Sequence, residues 1–265
     1  MGKVLALANQ KGGVGKTTTA INLSACLAAR DLRVLLVDVD PQANASTGLG
    51  LRDQPPPTIY DVLVDDTPVQ ETIRRTDEPG LEIVPACGSL AGAEVELVGM
   101  MAREHRLRKA LEPVSAAYDF IFIDCPPSLG LLTINALAAA EGIIVPVQCE
   151  YFALEGLSQL LSTIQQVRRH LNSRLRVTGL LLTMYDGRTN LSQQVMREVQ
   201  THFSNTFSTT IPRNIRLSEA PSYGQSILRY DPSSRGAVAY AALAEELLRM
   251  HGPGRAAPAG KEGTR

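Results

Sequence analysis

A glycine-rich loop near the start of the chain constrains the fold more than any other segment. Residues 9–18 read NQKGGVGKTT and follow the short apolar run KVLALA at residues 3–8. Residues 16–31 then place apolar side chains at helical spacing, and a second apolar run, RVLLVDVD, occupies residues 33–40. A strand, a loop, a helix and a strand in this order predict a βαβ unit with a right-handed crossover.

The same alternation continues along the chain. Further strands are expected at 81–86, 118–127, 141–148 and 175–186, with a weaker candidate at 206–212. Helices are expected around 100–115, 129–140, 154–171, 192–203 and 235–250. This order is typical of an α/β fold with a mostly parallel twisted sheet and helices on both faces. We therefore assign residues 1–250 to a single domain, and the Gly- and Pro-rich residues 251–265 to a disordered tail.

Composition and charge narrow the classes of function. No apolar run approaches the roughly 18 residues that span a bilayer, so a soluble, cytoplasmic protein is expected. The four cysteines lack Cys-x-x-Cys spacing, which argues against a structural zinc site. The net charge is −1, yet residues 1–150 carry 12 Lys and Arg against 19 Asp and Glu, whereas residues 151–250 carry 11 against 7. A basic half is typical of proteins that bind nucleic acid or anionic lipid, although scattered charge gives the same count.

The loop has the features of a phosphate-binding site. Its backbone N–H groups would surround the β-phosphate at a helix N-terminus, where the helix dipole adds positive charge. Lys16 would reach the β- and γ-phosphates, and the Thr17 hydroxyl would ligate Mg²⁺. The residues expected to form this nucleotide cradle are Gly12, Gly13, Val14, Gly15, Lys16, Thr17 and Thr18.

Two of the expected strands end in carboxylates. Asp38 and Asp40 follow the apolar run of the second strand, and Asp124 follows FIFI. Because parallel strands present their carboxyl ends at one edge, these acids should lie near the phosphates. Asp124 would hold Mg²⁺ directly or through water, and Asp40 would orient the attacking water, so Thr17, Asp40 and Asp124 form the candidate metal site. A helix-cap or turn role is the alternative for each acid, and Asp38 either supports the site or is structural.

The loop departs from the usual pattern G-x-x-x-x-G-K-[ST] at its first position. Gln10 stands where the first glycine belongs, and Lys11 follows it. The chain contains only five lysines, and two of them, Lys11 and Lys16, fall within this one loop. Since most of the other basic residues are arginines, the two lysines indicate that the loop requires lysine specifically.

These motifs together resemble the ParA/Soj-type DNA-partitioning ATPases, which belong to the deviant Walker A (MinD/ParA) superfamily of P-loop NTPases. The resemblance extends from about residue 3 to about residue 250. The segments that carry it are KGGVGKTT (11–18), DVDPQAN (38–44), IDCPPSLG (123–130), VPVQCEYFALEGL (145–157) and IPRNIRLSEAPSYGQSI (211–227).

The resemblance implies a slow, Mg²⁺-dependent ATPase that forms a homodimer when ATP is bound. In this family the additional lysine, here Lys11, reaches across the dimer interface to the phosphates of the other subunit, as an arginine finger does. The implied catalytic residues are Lys11, Lys16, Asp40 and Asp124. The residues implied to lie near the adenine are Met184, Pro212 and Asn214.

The resemblance also implies partners. The ATP-bound dimer would bind double-stranded DNA without sequence preference, and Arg188 and Arg216 are the matching positions. Arg213, Arg229 and Arg235 are further candidates, and a surface ion pair is the alternative role of each arginine. A centromere-binding protein of the ParB/Spo0J type would stimulate hydrolysis. The protein would then be cytoplasmic and associated with the nucleoid, with no membrane as a partner.

Three other functions share parts of this pattern. A MinD-like, membrane-cycling cell-division ATPase would need an amphipathic C-terminal helix, but residues 251–265 contain no large apolar side chain. A nitrogenase-reductase-like redox protein would bind a cluster through cysteines such as Cys87 and Cys125, which lack the expected glycine-rich surroundings. A nucleotide-gated scaffold without catalysis is the third alternative.

Overall fold

A single sheet organises the part of the chain that the computed structural model describes, residues 2–150 and 155–251. The strand order is β3-β4-β2-β5-β1-β6-β7, and every neighbouring pair is parallel except β3 with β4. The strands are β1 (Lys3–Leu7), β2 (Val34–Asp38), β3 (Arg74–Arg75), β4 (Leu81–Val84), β5 (Phe120–Asp124), β6 (Gly142–Gln148) and β7 (Arg176–Thr183).

Helices cover both faces of the sheet, as the sequence predicts. The side chains of β1 divide between two cores, with Val4 and Ala6 in one and Leu5 and Leu7 in the other. The helices are α1 (Lys16–Ala28), α2 (Asn44–Gly48), α3 (Ile59–Val64), α4 (Val69–Thr72), α5 (Leu90–Glu96), α6 (Arg106–Leu111), α7 (Leu131–Ala139), α8 (Glu155–His170), α9 (Asn190–His202), α10 (Arg216–Glu219), α11 (Ile227–Tyr230) and α12 (Arg235–His251). Helices α1 and α12 pack on the face of Leu5 and Leu7, and α7 packs on the opposite face.

The central strands are buried along their whole length, which explains their continuous apolar sequences. All five residues of β2 and all five of β5 are buried. These two strands pair in register, so that Asp38 stands opposite Asp124. The carboxyl edge of the sheet therefore holds two adjacent acids beside the loop that follows β1.

The weak strand candidate at 206–212 is wrong as a continuous strand. Isolated parallel bridges join Thr206 to Leu180 and Pro212 to Tyr185, and the Ile211 N–H donates to the Leu182 carbonyl at 2.8 Å. The segment thus runs beside β7 with interrupted pairing, because the Ser208 and Thr209 N–H groups donate to the Glu246 carboxylate, at 2.7 and 2.9 Å.

Several helices differ from the expected pattern. The helix expected around 100–115 is α-helical only over α6, with single 3₁₀ turns at Arg103–His105 and Ser115–Ala117. Helices α2, α3, α4, α5, α10 and α11 were not predicted, because segments of four to seven residues are too short to show helical periodicity.

The chain's last described helix, α12, continues to His251. The remainder of the expected tail, residues 252–265, lies outside the described residues, so its disorder stays a prediction. Among the described helices, none has the length and apolar composition needed to cross a membrane.

Candidate active site

The loop between β1 and α1 is held in shape by backbone conformation and by side chains from other strands. Gly13 and Gly15 adopt φ values of 75° and 88°, which L-residues rarely tolerate. The Thr183 hydroxyl at the end of β7 donates to the Val14 carbonyl at 2.8 Å, and the Asn9 amide donates to the Pro146 carbonyl at 2.7 Å. At Gly12 a Cβ would meet no atom of the chain within 4 Å, so no internal contact demands glycine there.

This loop forms one wall of a cleft of about 780 Å³ at the carboxyl edge of the sheet. Nucleotide pockets fall in this range of volume. The cleft brings together eleven of the residues that the sequence singled out: Gly12, Gly13, Gly15, Lys16, Thr17, Thr18, Asp40, Met184, Pro212, Arg213 and Asn214. Val14 is buried behind the loop, while Lys11 and Asp124 do not line the cleft.

Lys16 occupies the phosphate end of the cleft, in the first turn of α1. The side chain is only 6% exposed, and its Nζ donates to the Lys11 carbonyl at 3.4 Å. Burial lowers the pKa of the ammonium, while the charges of Asp124, Cys125 and Asp40 act in the opposite direction. A buried ammonium with one long hydrogen bond would be stabilised by an anion such as a phosphate.

Asp124 is fully buried, and neither of its oxygens accepts a hydrogen bond from a described residue. Burial and the neighbouring charge of Asp38 raise its pKa well above the usual range, and the nearby Thr17 hydroxyl and Lys16 ammonium lower it only in part. Buried carboxylates without partners are unusual in proteins. The two unpaired oxygens of Asp124 therefore suit a cation, which would satisfy them in this buried position.

Asp38 and Asp40 differ in their hydrogen bonds, although both are nearly buried. Asp38 Oδ2 accepts hydrogen bonds from the Ser46 N–H at 2.9 Å and the Ser46 hydroxyl at 2.8 Å, and Oδ1 accepts from the Asp40 N–H at 3.1 Å. Burial raises the pKa of Asp38 to about 6. Asp38 therefore holds the loop that carries Asp40. Asp40 lines the cleft, and its Oδ1 accepts from the Gln42 N–H at 2.9 Å.

Lys11 extends away from the cleft that its own loop forms. Its Nζ lies 3.2 Å from Glu150 Oε2, just past the end of β6. Its backbone N–H donates to Asn9 Oδ1 at 3.0 Å, which fixes the start of the loop. The two lysines of the loop thus point to different partners, Lys16 into the cleft and Lys11 to an acid outside it.

The opposite end of the cleft is formed by residues after β7. Met184 has a left-handed φ of 50°, which is uncommon for a residue with a side chain, and it redirects the chain at the cleft. The side-chain Oδ1 of Asn214 accepts a hydrogen bond from the Arg216 N–H at 2.9 Å. Among the described residues, no acceptor pairs with the Asn214 amide N–H groups.

Sequence reasoning missed two residues that shape the site. Thr183 anchors the loop through its hydrogen bond to Val14. Its position at the end of an expected strand was the feature of the sequence that could have identified it. Tyr240 of α12 lines the cleft, is 1% exposed and shares a 3.1 Å hydrogen bond with the Thr19 hydroxyl of α1. No local pattern links residues that lie so far apart in the chain.

The two arginines expected to bind DNA are each paired with carboxylates. Arg188 forms two hydrogen bonds to Asp186, of 2.9 and 2.7 Å, and its side chain is 89% exposed. This contact lowers the pKa of Asp186 to about 2. Arg216 lies 2.9 Å from Glu219 and 3.5 Å from Asp231. DNA phosphates would therefore have to replace these acids as partners of the two arginines, or share the arginines with them.

Comparison with known proteins points to one family. A family model described as an AAA domain matches residues 2–177. Sporulation initiation inhibitor protein Soj of Bacillus subtilis (strain 168) is 57% identical over 249 residues, which cover 93% of this chain and 98% of that protein. Chromosome partitioning protein ParA of Myxococcus xanthus (strain DK1622) is 54% identical over 255 residues, 96% of this chain and 90% of that protein.

Solved structures share the fold as well. Cobyrinic acid a,c-diamide synthase from Mycobacterium smegmatis, with bound ADP and magnesium, has a TM-score of 0.84 and 40% identity. The match covers 97% of this chain and all of that one. The α/β architecture predicted from the sequence is therefore confirmed.

Proposed function

Because this chain belongs to the ParA/Soj-type chromosome partitioning ATPases, we propose that it uses Mg²⁺ and ATP to switch between a monomer and a homodimer that holds DNA. The observation that carries the proposal is the cleft. Lys16, Thr17 and Asp40 line one end of it, and the residues expected near the adenine line the other. In the solved neighbour with bound ADP and magnesium, the same fold accommodates both components.

Within the cleft each residue has a distinct task. Lys16 binds the β- and γ-phosphates, and the loop N–H groups orient them. Thr17 and Asp124 hold Mg²⁺, which when bound offsets the negative charge that develops on the phosphates. Asp40, supported by Asp38, orients the attacking water. The test of this last role is Asp40→Ala, which should bind ATP normally and release little phosphate.

In this proposal Lys11 connects ATP binding to the formation of the dimer. Its side chain lies outside its own cleft and pairs with Glu150, a contact that a phosphate of the facing subunit can replace. Lys11 would then stabilise charge on the γ-phosphate only when two chains face each other. ADP lacks that phosphate, so the dimer weakens after hydrolysis.

In this proposal the dimer binds duplex DNA through Arg188 and Arg216, both of which are exposed. A ParB/Spo0J-type protein stimulates hydrolysis and so releases the DNA, which places the protein on the nucleoid. The high identity to partitioning proteins over almost the whole chain favours this function over a MinD-like membrane cycle. Full burial of Cys125, which raises its thiol pKa, counts against a cluster-binding redox role.

The decisive experiment measures binding of a DNA duplex with ATP, with ADP and without nucleotide, at two salt concentrations. We expect tight binding only with ATP, and a strong loss of affinity at the higher salt concentration because phosphate contacts release counterions. Equal binding in the three nucleotide states would overturn the switch.

A further inference from the structure

Two large exposed side chains belong to the segment that carries Arg216, and the proposed function gives them no task. Ile215 is 72% exposed and Tyr223 is 67% exposed. We propose that Ile215 and Tyr223 form an apolar contact for the DNA duplex, in addition to the arginines. This inference rests on the proposed function, since it assumes that the ATP-bound protein holds DNA.

Tyr223 and Arg216 are connected through a third side chain. The Tyr223 ring stacks on Tyr230 with centroids 5.1 Å apart, and the Arg216 guanidinium carbon lies 5.9 Å from the Tyr230 centroid. The Tyr230 hydroxyl donates to Glu219 at 3.0 Å, and Glu219 also binds Arg216. Ile215 directly precedes Arg216 in the chain. We call Ile215, Arg216, Tyr223 and Tyr230 the α10 patch.

The α10 patch is held by the core beneath it. Leu217 of α10 is buried against Gly236 of α12, where an added Cβ would come within 2.8 Å of the Leu217 side chain. The Asn214 side chain caps the Arg216 N–H, and Gly224 closes the following turn with a φ of 66°. Ile215 and Tyr223 are therefore presented to solvent from a fixed backbone, which lowers the entropy lost on binding.

Charge favours nucleic acid as the occupant of this patch. Residues 211–235 contain four arginines and two acidic residues. A different exposed apolar group, formed by Val95, Val98 and Met101 around the end of α5, lies in the acidic half of the chain. Apolar side chains contact DNA at sugars and in the minor groove, where they add to the phosphate contacts of nearby arginines.

Apolar and ionic contacts can be separated by their salt dependence. An arginine that binds a phosphate releases counterions, so its removal lowers the slope of log affinity against log salt by about 0.9. An isoleucine or tyrosine that buries apolar surface releases no counterions. Its removal should weaken binding equally at every salt concentration.

The test measures duplex binding with ATP over a salt series for Ile215→Ala, for the double variant Ile215→Ala with Tyr223→Ala, and for Arg216→Ala. The matched control is Val95→Ala, since Val95 is 77% exposed on a different surface. We expect the double variant to bind about tenfold more weakly, the effect of losing roughly two buried methylene groups, with an unchanged slope. Ile215→Ala alone should lose part of this affinity, Arg216→Ala should lower the slope, and Val95→Ala should bind as wild type.

Three results would overturn the inference. They are wild-type affinity in the double variant, a reduced slope in that variant, and loss of ATP-dependent dimerisation or partner stimulation with DNA affinity intact. The last result would identify the α10 patch as a protein interface. Failure of the wild-type protein itself to bind DNA with ATP would instead overturn the proposed function.

Discussion

Lys11 Nζ lies 3.2 Å from Glu150 Oε2, so the additional lysine of the loop is paired with an acid outside the cleft that Lys16 enters. The two side chains are 39% and 45% exposed. Ion pairs of this exposure contribute at most about 1 kcal/mol to stability. The pair is therefore weak enough for Lys11 to leave Glu150 and bind a phosphate.

We expect Lys11→Ala to abolish the ATP-dependent dimer while leaving nucleotide binding to the monomer intact, because only Lys16 serves the chain's own cleft. Hydrolysis should fall by about 10²- to 10³-fold, as for loss of a charge-stabilising donor. Light scattering after size exclusion, together with nucleotide titration, measures both effects.

Two variants serve as controls for Lys11→Ala. Lys109→Ala removes an exposed lysine of α6 and should behave as wild type. Lys16→Ala should lose nucleotide binding itself. A Lys11→Ala protein that still dimerises with ATP would contradict the role in the facing subunit.

Asp124→Asn should stabilise the nucleotide-free protein at pH 8 and eliminate Mg²⁺-dependent hydrolysis. In the unfolded chain Asp124 and Asp38 have pKa values near 3.9. In the folded protein burial raises both, that of Asp38 to about 6. The folded state therefore binds more protons above pH 4, and stability falls as pH rises through this window. Removing this acid should therefore raise the stability at pH 8 and change it little at pH 4.

Urea unfolding at both pH values measures this effect. Asp53→Asn, which alters an exposed acid, is the matched control and should change stability equally little at each pH. Destabilisation of Asp124→Asn at pH 8 would mean that the buried charge is compensated in the empty protein.

Thr183→Val should loosen the phosphate-binding loop. Thr183 is 2% exposed, and its hydroxyl donates to the Val14 carbonyl at 2.8 Å. Loss of this bond leaves a buried carbonyl unpaired, so we expect about 1–2 kcal/mol lower stability and weaker nucleotide binding. Thr178→Val, at the other end of β7 and 7% exposed, should leave nucleotide affinity unchanged. Calorimetric titration of both variants distinguishes the two sites, and equal affinities would contradict the anchoring role.

Asp186→Asn should increase DNA affinity. Asp186 is ionised at neutral pH, as any exposed aspartate is, and its hydrogen bonds to Arg188 lower its pKa further, to about 2. The substitution frees Arg188 for a phosphate, so the salt slope should steepen by up to about 0.9. Glu198→Gln, an exposed acid of α9, is the control. Unchanged affinity in Asp186→Asn would show that Arg188 does not contact DNA.

The parts of the fold that the sequence predicts well are those with long, regular patterns. Residues of β2 and β5 form uninterrupted apolar runs because both faces of the sheet are covered, and such runs identify buried strands. The segment 206–212 misled the prediction because its β-branched residues suit a strand, whereas the N–H groups of Ser208 and Thr209 donate to Glu246 and not to β7. Short helices such as α2 leave no periodic signal.

In the site, residues within one motif were predictable and distant contacts were not. Lys16, Thr17 and Thr18 follow from the loop pattern, and the parallel sheet brings Asp40 to the same cleft. The pairing of Lys11 with Glu150 depends on β6 lying next to β1, and one sequence contains no signal for that pair. The acids beside Arg188 and Arg216 also required the structure, because a charge count does not show which arginines are neutralised.

The hydrogen bond between Thr19 and Tyr240 connects the helix that carries Lys16 to the helix that begins with Arg235. A movement of α12 would therefore be transmitted through this hydrogen bond to α1, the helix that begins at Lys16. Linkage between two ligands is reciprocal, so a nucleotide that tightens DNA binding must itself be held more tightly, by the same factor, when DNA is present. Under the proposed function, DNA is then an effector of nucleotide affinity as well as a cargo.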